Sequence, residues 1–230
     1  MFAERLKTVE EKIEQACERS GRARSEVTLI AVSKTNPAEA VREAFDAGQR
    51  DFGENKAQEM VAKKEACPEE IRWHFIGNLQ KNKVKYVVGN AVMIHSVSSV
   101  PLAEEIEKCA AKKGVKVSVL AEVNIADEET KHGIGREDAV ELAKAIGELP
   151  HLSLEGLMCI APPVEDPEEN RPYFAAMRAL RDEINALGLP GVQLRELSMG
   201  MSGDYEVAVE EGATFVRVGT ALFGARNYNI

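Results

Sequence analysis

The chain opens on a single apolar stripe. Phe2, Leu6, Val9, Ile13 and Cys17 recur at steps of four, three, four and four, with charged residues between them. That period predicts an amphipathic helix, and Ser20-Gly21 supplies its stop. Beyond Gly21 the pattern changes and then repeats. Short β-rich runs at 28–33, 51–53, 73–77, 93–97, 117–123, 154–160, 196–199 and 215–218 alternate with amphipathic helical stretches. The helices are predicted to begin near Pro37, Lys56, Asn82, Pro101, Arg136, Asp166 and Asp204. Pro at the first helical position marks two of these starts, and Gly48, Gly89, Gly114, Gly188 and Gly212 fall where helices should end.

Eight strands, each followed by a helix except the last, predict an α/β chain: a single (β/α)8 TIM barrel with an extra N-terminal helix, one domain over residues 1–230. Several strands are apolar throughout, as a sheet buried on both faces requires. The open doubly wound sheet is the rival, and its first βα turn often carries glycines. Here that turn reads Ser33-Lys34-Thr35-Asn36-Pro37 and has none. The Pro-, Glu- and Asp-rich stretch 161–172 reads as a surface excursion.

Composition narrows the function. Of 230 residues, 29 are basic and 38 acidic, for a net charge of −9, so a global footprint for nucleic acid or an anionic membrane is absent. Cys17, Cys67, Cys109 and Cys159 form no CxxC pair and have no His at ligand spacing. They read as free thiols in a reducing compartment rather than as a zinc site. The first 21 residues lack the apolar core of a signal peptide. No apolar run approaches the roughly 20 residues of a membrane span. A cytoplasmic protein is expected.

In such a barrel the chemistry sits at the C-terminal ends of the strands. Lys34 follows the apolar run Leu29-Ile30-Ala31-Val32, which would hold its stem in the barrel mouth. An ordinary lysine, with a pKa of about 10.4, is protonated and not nucleophilic. Desolvation, or a cation such as Arg217 nearby, would free the amine for imine formation with a carbonyl. Alternatively, Lys34 is a strand-end lysine with its head in water. Ser198-Met199-Gly200-Met201-Ser202-Gly203 follows the seventh strand and Gly219-Thr220 the eighth. Loops at these two strands are the recurring phosphate site of TIM barrels. Glycine lets backbone N–H groups approach phosphate oxygens, and hydroxyls add donors. Together with Lys34 they point to one ligand that carries both a phosphate and a carbonyl. Arg217, between Val216 and Val218, should face inward. It either bridges to a carboxylate such as Glu122 or Glu155, or meets a ring nitrogen of the ligand. Asn55 and His74 either line the pocket or satisfy backbone groups at the mouth. His132 and His151 need no role, and Lys81, Lys83 and Lys85 read as a solvated helix face.

The motifs Ala31-Val32-Ser33-Lys34-Thr35, Phe52-Gly53-Glu54-Asn55, His74-Phe75-Ile76-Gly77-Asn78-Leu79-Gln80-Lys81-Asn82-Lys83, Ser198-Met199-Gly200-Met201-Ser202-Gly203-Asp204 and Val216-Arg217-Val218-Gly219-Thr220 follow one another in this order. As an ordered set, spanning about Val27 to Phe223, they resemble the pyridoxal phosphate homeostasis protein family. The resemblance implies a fold-type III barrel like the N-terminal domain of alanine racemase. It implies pyridoxal 5′-phosphate (a vitamin B6 form) held by Lys34 as an internal aldimine, that is, a Schiff base. It implies phosphate contacts from Ser198, Ser202, Gly219 and Thr220 and a pyridine-nitrogen contact from Arg217. Asn55, His74 and Met199 would line the pocket.

An arginine facing the pyridine nitrogen keeps it unprotonated and weakens the ring as an electron sink. Fold-type III racemases add a second domain and a tyrosine acid–base group. Here the chain ends at Ile230, and Tyr86, Tyr173, Tyr205 and Tyr228 do not fall at strand ends. The expectation is a monomeric carrier and regulator of pyridoxal phosphate with little turnover, serving apo-enzymes that need the cofactor. The alternatives are a racemase-like enzyme with an acid supplied by a partner, and a cofactor-free Schiff-base aldolase.

Overall fold

The structure is a computed structural model and describes residues 1–126 and 132–224. Tyr228 lies outside the described residues. Eight strands, β1 (Thr28–Val32), β2 (Asp51–Glu54), β3 (Arg72–Phe75), β4 (Met93–Val97), β5 (Val117–Glu122), β6 (Leu152–Met158), β7 (Glu196–Met201) and β8 (Phe215–Val218), pair in chain order and close into a barrel. Every pairing is parallel, including the closing one, where Leu29 stands opposite Val216 and Ile30 opposite Arg217. The predicted (β/α)8 barrel is the observed fold.

Helices cover the outside. They are α1 (Phe2–Arg19), α2 (Ala38–Asp46), α3 (Ala57–Ala66), α4 (Val84–Val87), α5 (Val100–Lys113), α6 (Ala139–Gly147), α7 (Arg171–Ala186), α8 (Tyr205–Glu210) and α9 (Thr220–Phe223). The apolar stripe of α1 buries Phe2, Val9, Ile13 and Cys17 as its period predicts, and α1 packs against α8 and α9. Alternation along the strands divides the core in two. Leu29 and Ala31 join the shell between sheet and helices, whereas Ile30 and Val32 are buried apart from that shell, in the lumen. Ile76, Leu120 and Met158 are buried in the same way. The lumen also holds a buried polar column of Asp51, His74, His95, Ser198 and Arg217.

The structure differs from the sequence pattern in three places. The helix expected near Asn82 is a 3-10 turn, Lys81–Lys83, leading into the four-residue α4. Lys81 and Lys85 are exposed, as a solvated face requires, and the Lys85 ammonium sits 5.0 Å from the Tyr86 ring centroid. After β8 the chain makes one further turn, α9, where no helix was expected. Residues 161–172 are not simply a surface loop. Asn170 within them is fully buried, because its amide donates to Pro162 O at 3.0 Å and to Asp204 Oδ2 at 2.8 Å. Among the described residues no helix is long and apolar enough to cross a membrane.

Candidate functional site

A cavity of about 270 Å3 opens at the C-terminal ends of the strands. Lys34, Asn55, Ser202, Arg217, Gly219 and Thr220 line it, above Val32 and Ile76. Six of the nine residues expected at the site therefore meet in one place, although they come from β1, β2, β7 and β8. Ile160 and Met201 stand at its rim, 40% and 39% exposed.

The other three lie elsewhere. Met199 is fully buried in the shell between sheet and helices, because its parity on β7 turns it away from the lumen. Ser198 is also fully buried, and its Oγ is bonded to Arg217 Nη1 at 2.6 Å and to His95 Nδ1 at 2.9 Å. It sits below the cavity rather than on its wall. His74 belongs to the same lower layer: its Nδ1 meets His95 Nε2 at 3.0 Å and its Nε2 meets Asp51 Oδ1 at 3.0 Å.

These contacts form one hydrogen-bonded column from the cavity floor to the far end of the barrel. Arg217 can only donate and ionised Asp51 can only accept. Burial, aided by the charges of His74 and Arg217, holds the His95 imidazolium well below the usual histidine range, so its ring is neutral. His74 Nε2–H donates to Asp51, Arg217 donates to Ser198, and the His95 ring links His74 Nδ1 to the Ser198 hydroxyl between them. Burial opposes ionisation of Asp51, but the hydrogen bonds from His74 and Arg72 outweigh it and hold the carboxyl below its ordinary value.

Arg217 is anchored by neutral oxygens. Besides Ser198, it donates through Nη2 to Cys159 O at 2.8 Å. Neither Glu122 nor Glu155 is paired with it among the described residues, so of the two alternatives for Arg217 the carboxylate bridge is not what holds it. Burial lowers the pKa of its guanidinium, although the neighbouring negative groups oppose this. Glu122 lies within electrostatic reach, and burial raises its carboxyl, against the pull of His132 and Arg217. His132 Nε2 itself sits 3.4 Å from Asn78 Nδ2, and His151 Nδ1 pairs with Glu107 at 2.6 Å outside the site.

The loop after β7 is shaped by two side chains and a glycine. Asp204 Oδ1 accepts from Met201 N at 2.7 Å, and its Oδ2 accepts from Asn170. Gly200 has φ +89°, and a Cβ there would lie 2.5 Å from Ala208 Cβ. Ser202 Oγ accepts from Gly219 N at 3.1 Å and from Ala221 N at 3.4 Å. Backbone donors of the β8 loop thus converge on one oxygen at the cavity wall. Asn55 is seated by close packing at Gly77, where a Cβ would fall 2.2 Å from Asn55 O. The Asn55 Oδ1 is buried and has no hydrogen-bond partner among the described residues.

A larger groove of about 670 Å3 lies beyond Ser202 and Gly203, between α1 and α8. Its walls carry Arg5, Lys12, Arg19, Glu206 and Glu210, and much of that charge is internally paired. It does not reach Lys34, so the smaller cavity is the candidate site.

Comparison with known proteins gives the family and the fold. Residues 5–227 match the family model described as alanine racemase, N-terminal domain. A pyridoxal phosphate homeostasis protein of Aquifex aeolicus is 50% identical over 226 residues, covering 98% of each chain. The solved structure of PipY from Synechococcus elongatus with PLP bound superposes with a TM-score of 0.84 at 39% identity, covering 97% of this chain and 100% of that one. An alanine racemase of Clostridium difficile shares the fold alone, at 15% identity and TM-score 0.71, with 56% of its length covered. With a family model matched over nearly its whole length and a relative 50% identical over 98% of each chain, the chain belongs to the pyridoxal phosphate homeostasis proteins, within the alanine racemase N-terminal domain family.

Proposed function

We propose that this protein binds pyridoxal 5′-phosphate covalently through Lys34 and serves as a cytoplasmic carrier and regulator of the cofactor, with little turnover. The observation that carries the reading is the pairing of Lys34 with the converging backbone donors at Gly219 and Ala221 in one cavity. The residues present fit the group. Asn55 Oδ1 is a buried acceptor with no donor among the described residues, and the donors gathered on Ser202 Oγ suit a phosphate oxygen. When bound, pyridoxal phosphate supplies an aldehyde that condenses with a neutral amine, with loss of water.

Each residue then has a role. Lys34 holds the aldehyde carbon. Ser202, Gly219 and Thr220 take the phosphate. Arg217, fixed by Ser198 and Cys159 O, presents a donor to the pyridine nitrogen and keeps a proton off it. Val32 and Ile76 exclude water from the floor. Ser198, His95 and His74 act from beneath by holding Arg217.

The arginine supports the carrier reading over the racemase. A ring nitrogen without a proton is a weak electron sink, so α-proton removal needs a strong acid–base partner. Among the described tyrosines, Tyr205 is buried, and burial pushes its phenol up to about 12. It does not line the cavity. The direct test is transfer. Protein loaded with cofactor, mixed with an apo-form of a pyridoxal phosphate enzyme, should restore that enzyme's activity, while α-proton exchange of alanine stays at the level of free cofactor. Exchange well above that level would make the chain an enzyme.

A further inference from the structure

The backbone that carries Lys34 is held on both sides by one ion cluster on α3. Lys63 Nζ donates to Ser33 O at 2.7 Å, the carbonyl of the peptide that precedes Lys34. Glu59 Oε1 accepts from Thr35 N at 2.8 Å, the amide of the peptide that follows it. Lys63 also donates to Glu59 Oε1 at 2.7 Å and to Glu54 Oε1 at 2.6 Å. An ammonium has three donors, and these three acceptors use them all. Lys63 is 5% exposed and Glu54 fully buried. An uncompensated charge at either place would be costly.

The same short turn contains an unusual backbone. Thr35 has φ +67°, and among the described residues it is the one non-glycine with positive φ. A β-branched residue is strained in that region and persists there only when its surroundings hold it. The Glu59 bond falls on the amide of that very residue.

We propose that Glu59 and Lys63 are positioning residues for Lys34. They clamp the two peptides flanking its Cα and hold Thr35 in the left-handed region. The amine is thereby delivered to the barrel mouth before any ligand arrives. The inference rests on the reading that Lys34 forms the covalent bond, and it extends the site to α3, a helix that does not line the cavity. Pre-organisation of this kind strengthens binding by removing an ordering cost.

The test compares Glu59→Ala, Glu59→Gln and Thr35→Gly, with Glu59→Ala also made in the Thr35→Gly background. Glu59 sits at the cluster's accessible edge, its side chain 23% exposed, so its removal leaves the Lys63–Glu54 pair in place. Three quantities are read: the dissociation constant for pyridoxal phosphate, the rate at which borohydride fixes the cofactor on Lys34, and exchange of the Thr35 amide without ligand. Glu59→Ala should weaken binding about tenfold, the loss of one charge-assisted hydrogen bond, and should speed amide exchange. Glu59→Gln keeps an oxygen facing Thr35 and should stay within about threefold of the parent. In the Thr35→Gly background the loss should shrink to about twofold, because glycine adopts this conformation without steric cost. Glu59→Ala binding within twofold of the parent would overturn the proposal. So would an equal tenfold loss in both backgrounds, which is the result of a merely structural role. Failure of the underlying reading looks different: the parent itself would form no adduct on Lys34.

Discussion

Arg217 Nη1 lies 2.6 Å from Ser198 Oγ, and this bond joins the floor of the cavity to the polar column beneath it. Ser198 is the coupling point, since its hydroxyl also meets His95. An oxygen expected to serve a phosphate is instead committed to orienting an arginine. The phosphate assignment then rests on Ser202, Gly219 and Thr220, which do reach the cavity.

Replacing Ser198 by Ala leaves Arg217 Nη1 and His95 Nδ1 without this partner. The stability loss should be about 1–3 kcal/mol, read as a melting temperature lowered by a few degrees for each kcal/mol at this chain length. Cofactor affinity should fall with it, whereas loss of phosphate recognition alone would leave the melting temperature of the ligand-free protein unchanged.

Ser202→Ala should act on the phosphate end selectively. Binding of pyridoxal phosphate should weaken by about tenfold or more, while binding of pyridoxal, which lacks the phosphate, should change little. Titration of both ligands into parent and variant checks this. An equal loss for the two would remove Ser202 from the phosphate site.

The column predicts a decline of stability in acid. His95 stays neutral in the fold, so below about pH 6.5 the unfolded chain binds a proton that the fold refuses. Asp51 is held below its ordinary value, and its contribution, full above its unfolded value of about 3.9, is lost as pH falls through the folded one. Both terms have the same sign. Urea unfolding followed from pH 7.5 down to 3 should show two stages of loss, His95→Gln removing the upper and Asp51→Asn the lower. An unchanged profile in His95→Gln would contradict the buried neutral ring.

Gly77→Ala should be severe for its size. The added Cβ meets Asn55 O at 2.2 Å, backbone against side chain, with no flexible atom to yield. A destabilisation of about 1–3 kcal/mol is expected, together with weaker cofactor binding as Asn55 moves. A crystal structure or melting curve of the variant tests both.

The barrel was legible because its signals are local. Apolar runs such as Leu29–Val32 between helical stretches needed only period and count, and the α1 stripe landed on its buried face. Lys34, Arg217 and the two glycine-bearing loops were legible because fold and strand number say where such groups gather. What sequence could not supply was depth along a strand. Ser198 and Ser202 look alike in one motif, yet one is beneath the cavity and the other on its wall. Met199 faces the wrong side by parity, which the bulge between β7 and β8 obscures. The column escaped notice because Asp51, His74 and His95 come from three strands, and only closure of the barrel brings them together. Lys63 did leave a trace: it falls on the buried face of α3, after Ala57 and Met60, where an apolar residue is expected. A lysine at such a position needs a partner, and Glu59 is four residues away.

The central claim is that one lysine holds the cofactor. Purified protein incubated with pyridoxal phosphate, reduced with borohydride and mapped by peptide mass, with Lys34→Ala beside it, tests that claim directly. The expected result is one phosphopyridoxyl group on the peptide containing Lys34, absent from the variant, with an imine absorption band before reduction. No band, or adducts scattered over exposed lysines such as Lys81 and Lys85 in both proteins, would contradict it.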